Sequence, residues 1–171
     1  MNAALLLAAF AALCRQEPES LYTDEEKGFS LPIPRGWSVT RSADRGKLLT
    51  LRAPAETRSG ATLILAVQDP MKAIVDGSLS LDAYIEEVKK QYPKKFADFE
   101  WVKTEKGKEG ENPTVTLTYR YTSSGARICQ LQHLVWTRGN HWSLSWGCVD
   151  EAFEKQKDAF ERCSKAFRPK R

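Results

Sequence analysis

After residue 28 the chain settles into short runs in which every second side chain is apolar, the period of a half-buried strand. That period predicts strands over 37–41, 48–52, 62–68, 99–104, 114–122, 126–137 and 141–148. Turn-forming clusters separate most of them: DRG at 44–46, RSG at 58–60, the stretch 107–113 between a glycine and a proline, SSG at 123–125 and RGN at 138–140. In two places the period lengthens to that of a helix. Ser80 is the expected N-cap of the first, Leu81, Tyr84, Ile85 and Val88 mark its apolar face, and Pro93 is expected to end it. Asp82, near that start, suits the helix dipole. The second helix is predicted from near Asp150, with Phe153, Phe160, Cys163 and Phe167 on one stripe and Arg168, Lys170 and Arg171 following. Many strands with one mid-chain and one terminal helix describe an α+β domain with a mainly antiparallel sheet.

The best-determined piece is "ARICQLQHLVWTRGNHWSLSWGC" at 126–148. With 137–140 as a four-residue loop, Trp136 pairs with His141. One face then carries Cys129, Leu131, His133 and Val135 opposite Cys148, Trp146, Leu144 and Trp142, which makes it core. The other carries Gln130 and Gln132 opposite Gly147 and Ser145, and is wetter in its middle. A slip of one residue would send glutamine and serine into the core, so the pattern opposes it. Directly opposed residues lie roughly 4.5–5.5 Å apart at Cα, inside the disulfide range of about 4.4–6.8 Å. A Cys129–Cys148 disulfide is therefore expected. Cys163, roughly 20 Å along the last helix, is left outside it. The alternative is three separate buried thiols.

Ahead of this domain the pattern changes. The first thirteen residues, "MNAALLLAAFAAL", carry no charged side chain. The run is shorter than the ~20 residues of a membrane-spanning helix and fits the apolar region of a secretory signal. Ala9-Phe10-Ala11 supplies a cleavage pattern. Cys14 directly follows, as in lipoproteins acylated on that cysteine, although Leu13 stands where such signals place a small residue. The expected organisation is a signal peptide or lipoprotein signal at 1–14, a polar tether at 15–28 and one domain at 29–169. Export to the periplasm or the outer face of a membrane follows, with Cys14 as the candidate lipidation site. The competing reading is a buried N-terminal helix of a cytosolic protein.

Composition narrows the chemistry. The 171 residues are 42% hydrophobic and 28% charged, an ordinary globular mixture. The net charge of +4 is spread through interleaved lysines and glutamates, which argues against a nucleic-acid partner. His133 falls on the core face of the hairpin, where a satisfied buried histidine is the common outcome. No Cys-x-x-Cys or His-Glu-x-x-His spacing appears, and no glycine-rich phosphate loop opens either helix. Ser143 and Ser145 lie inside a strand and not at a strand-to-helix elbow. Cys163 sits on an apolar stripe and reads as packing. No catalytic residue, metal ligand or cofactor is predicted. What remains is a candidate partner surface of Trp136, Arg138 and His141 at one end of the wetter face; the alternative is that another layer covers it.

The stretch "FSLPIPRGW" at 29–37 opens the domain. Pro32 and Pro34 favour extended neighbours, Gly36 permits a turn, and Trp37 and Val39 are expected to face the core, leaving Arg35 exposed. This opening resembles the start of PsbP-like domains. The helix "SLDAYIEEVKKQY", the long hairpin and the closing helix ending in "AFRP" agree in order with that superfamily over about 29–169. It includes the extrinsic photosystem II protein, a Ran-binding nuclear transport factor and exported lipoproteins of the DcrB type. The resemblance implies an α/β/α sandwich around an antiparallel sheet, and the apolar start points to the exported bacterial branch. It also implies a non-catalytic accessory or binding protein of the cell envelope that engages another protein. The alternatives are a small-ligand or lipid carrier with a pocket between helix and sheet, or a hydrolase using a serine, a histidine or Cys163.

Overall fold

The long hairpin forms the middle of the molecule. In the computed structural model, which describes residues 20–42, 46–68, 80–138 and 140–169, β8 (Ala126–Trp136) pairs with β9 (His141–Val149) in the expected register, Trp136 opposite His141 and Cys129 opposite Cys148. The segment 1–14 with Cys14, and 15–19 of the tether, lie outside the described residues. Around the hairpin, β3 (Ser38–Arg41), β4 (Lys47–Arg52), β5 (Thr62–Gln68), β6 (Ala97–Glu109) and β7 (Asn112–Ser123) complete a seven-stranded antiparallel sheet in the order β3-β4-β5-β9-β8-β7-β6.

The sheet buries both faces. On one side α1 (Leu81–Lys95) packs Ile85 and Val88 against Val115, Leu117, Tyr119, Leu134 and Trp136. Ser80 caps it as expected, accepting from the Ala83 amide at 3.1 Å. On the other side α2 (Phe153–Ala166) sets Phe153, Phe160 and Cys163 into the larger core with Leu131, Leu144 and Trp146. The layering is the α/β/α sandwich of an α+β fold. Among the described residues no helix is long and apolar enough to cross a membrane.

Four expectations about the elements are corrected. The tether is not polar coil throughout: β1 (Ser20–Asp24) pairs with β2 (Phe29–Ile33), and β10 (Arg168–Pro169) flanks β2 on its other side. Alternation at 20–24 is too short to stand out, yet Tyr22 packs on Phe29 at 5.9 Å and so draws the strand in. Val39 faces outward, because β3 is an edge strand with all four residues exposed; Trp37 alone turns in, onto Trp146 at 5.0 Å. Pro93 does not end α1. The helix runs to Lys95, where Phe96 closes it by donating to the Tyr92 carbonyl and stacks near Tyr121 at 4.5 Å. The turn placed at 107–113 is strand on both sides of Gly110, with Lys108 opposite Pro113.

Cys129 and Cys148 face each other as thiols, without the expected disulfide. Burial in the apolar layer pushes Cys129 up to about 12 and Cys148 up to about 11, which keeps both protonated and slow to exchange. Cys163 points its Sγ at the Pro32 carbonyl, 3.5 Å away.

Candidate functional site

The expected partner surface does not form. Trp136 and His141 are only 2% and 5% exposed, while Arg138 remains on the surface. Their rings stack at 4.7 Å, and Tyr84 of α1 closes edge-on over both. The wetter face is covered because tyrosine hydroxyls meet its amides, Tyr92 of α1 on Gln132 and Tyr121 of β7 on Gln130. Tyr92 donates to Gln132 at 2.8 Å, and Gln132 donates onward to Ser143 at 3.1 Å. Ser143 and Ser145 are 3.3 Å apart within this network. Burial lowers His141 to about 4, so it stays neutral.

An opening lies on the opposite face instead. Between α2 and the strands β6, β7 and β8 runs a groove of about 460 Å³. Strand alternation builds its floor: Val115, Leu117 and Tyr119 point to α1, so Thr114, Thr116 and Thr118 point to α2. Gly107 of β6 makes room for this row, since a Cβ there would meet the Thr114 hydroxyl at 3.0 Å. Glu154, Lys157, Glu161 and Lys165 project from the α2 wall, and Lys103, Glu105 and Glu109 from β6. Several of these charges are already paired, Lys103 with Glu105 at 2.8 Å and Lys165 with Glu161 at 3.2 Å.

His133 is the centre of the groove's polar order. Its Nε2 lies 3.1 Å from Glu109 Oε1, and its Nδ1 lies 2.9 Å from Thr116 Oγ1. A carboxylate only accepts, so Nε2–H donates to Glu109; in the neutral ring Nδ1 then accepts from the Thr116 hydroxyl. Carboxylate, imidazole and hydroxyl stand in the order of a catalytic triad. β7 and β8 are interior strands whose amides are engaged in ladders on both sides, so they provide no oxyanion hole over Thr116. Glu109 and His133 together hold the Thr116 hydroxyl in place. Ser164 of α2 also lines the groove; it is 7% exposed, and its Oγ is buried with no hydrogen-bond partner among the described residues. Arg120, at the groove's end, is held by Asp150 at 2.8 Å.

Sequence reasoning put His133 in the core and missed the groove around it. Gly107 inside a charged strand was the one local sign. Among the described residues no group of His, Cys, Asp and Glu could hold a metal ion.

Comparison with protein families matches residues 21–169 to the serine/threonine kinase C-terminal domain. Comparison with curated proteins gives no match. Among solved structures, the chain is similar to the PsbP of Synechocystis sp. PCC 6803 (CyanoP), with a TM-score of 0.67 and 18% identity over 91% of this chain and 95% of that one. A protein of unknown function from Pseudomonas aeruginosa, PA94, described as a putative regulator, gives 0.64 and 15%, over 91% and 99%. LpqN of Mycobacterium tuberculosis, described as involved in cell envelope biogenesis, gives 0.63 and 16%, over 94% and 96%. The fold is PsbP-like, and at these identities the likeness is one of fold.

Proposed function

Since the chain belongs to the serine/threonine kinase C-terminal domain family, we propose that it works as a non-catalytic binding module, exported to the cell envelope and held there through Cys14. The observation that carries this reading is the groove between α2 and β6–β8: a concave site with fixed hydroxyls and no assembled catalytic set. Membership of a family described as the C-terminal part of kinases fits a sensing or accessory role, and LpqN's association with the envelope is consistent with the apolar leader. A protein of the same compartment is the proposed partner, approaching the outer strand where Val102 is 42% exposed beside the groove.

Photo-crosslinking residues placed at Lys157 in the groove, at Val102 on the rim and at Glu86 on the far side of α1 test the proposal in living cells. Adducts from the first two positions and none from Glu86 are expected, with the mature chain beginning at an acylated Cys14 in the membrane fraction. A cytosolic chain that retains Met1, or equal labelling from all three positions, would overturn it.

A further inference from the structure

We propose that the groove takes a neutral, polyhydroxylated ligand, a short oligosaccharide. This rests on reading the groove as the binding site. Thr116, Thr118 and Thr114 present hydroxyls from alternate positions of one strand, about 6.8 Å apart from one to the next. With the His133 ring neutral and its Nε2–H on Glu109, the Thr116 hydroxyl donates to Nδ1, which leaves its oxygen to accept from a ligand hydroxyl. The Glu109–His133–Thr116 chain holds that acceptor rigidly and polarises it.

Charge argues for neutrality in the ligand. The groove walls alternate Glu154, Lys157, Glu161 and Lys165, and Lys103 is satisfied by Glu105. An anion would meet carboxylates on both walls, and a cation would meet lysines. A molecule rich in hydroxyls can donate to the carboxylates and accept from the ammonium groups. Beside the polar row Leu131 of β8, the cross-strand neighbour of Thr118, adds an apolar edge to the groove. The volume is within the range of roughly 300–1,000 Å³ typical of small-molecule sites.

The test is a titration of the isotope-labelled folded protein with maltose, cellobiose and diacetylchitobiose, run beside inorganic phosphate and a short peptide of alternating Glu and Lys. Amide shifts confined to the surroundings of Thr116, His133 and Ser164 are expected with at least one saccharide. Thr116→Val should weaken that binding about tenfold while the amide spectrum stays dispersed, because it removes the hydroxyl that His133 holds in the groove. Silence from every saccharide at tens of millimolar would overturn the inference. Shifts from the peptide or phosphate alone would overturn the ligand class and leave the groove as a binding site; silence from all probes, with no crosslink from Lys157, would remove both.

Discussion

Trp136 shows how far a single side chain's role depends on what covers it. Its place at the end of a strand beside a turn suggested exposure, and α1, about fifty residues earlier, decides otherwise through Tyr84. Trp136→Ala should cost about 3–5 kcal/mol and lower Tm by about 10 °C or more in a melting experiment. Were the melt unchanged, the tryptophan would not be core. His141 adds a pH dependence with a definite sign. Its folded value, about 4, lies below the ordinary 6.5, so the unfolded chain binds the proton first. Its contribution is therefore intact above about pH 6.5 and is lost as pH falls towards 4, by roughly 3 kcal/mol in all. His141→Phe should flatten the Tm profile across that interval relative to the parent protein. The buried thiols give a third check. Cys129 and Cys148 should resist alkylation in the folded state and react at once in denaturant, whereas rapid labelling would show the layer to be open.

Elements were legible where local chemistry and packing agree. Ser80 is one such place: Ser80→Ala should cost about 1 kcal/mol and a few degrees of Tm, read from thermal unfolding with the helix signal followed by circular dichroism. The hairpin register was legible because a slip would have buried Gln130 and Gln132 on the wrong side. β6 was read too short, since its charged outer half obeys a different constraint. It is an edge strand, and Lys103, Glu105, Lys106 and Lys108 mark an edge that is not meant to pair further. Two irregularities, near 97–100 and 101–103, turn the strand between these regimes. Pro93 misled for a related reason. Pro93 has no N–H to give the Lys89 carbonyl, and the aromatic contacts of Tyr92 and Phe96 with Tyr119 and Tyr121 hold the last turn in place against that loss.

At the scale of the whole molecule, the α+β class followed from the order of strands and helices, and its α/β/α layers from the resemblance to PsbP-like domains. The groove did not, because its floor, rim and wall come from β7 and β8, β6 and α2, and no window of sequence contains them together. The small sheet was hidden for the same reason, since β2 finds one neighbour before it and the other at 168–169. Removing residues 20–24 should lower Tm and expose the edge of β2, with increased association in size-exclusion chromatography; a shortened chain as stable and monodisperse as the parent would show β1 to be dispensable. The shared strand has a further consequence. Ser30 pairs with Thr23 on one side and Arg168 on the other, so the domain's first and last strands run parallel, two strand spacings or about 10 Å apart. Ser20 and Pro169 are offset by four more residues along that strand, about 13 Å. A short flexible linker can therefore join them, and new ends cut at the Ser124–Gly125 turn would leave every layer whole. The domain is in effect a closed loop of structure that could be spliced into a surface loop of another protein without unfastening anything inside it.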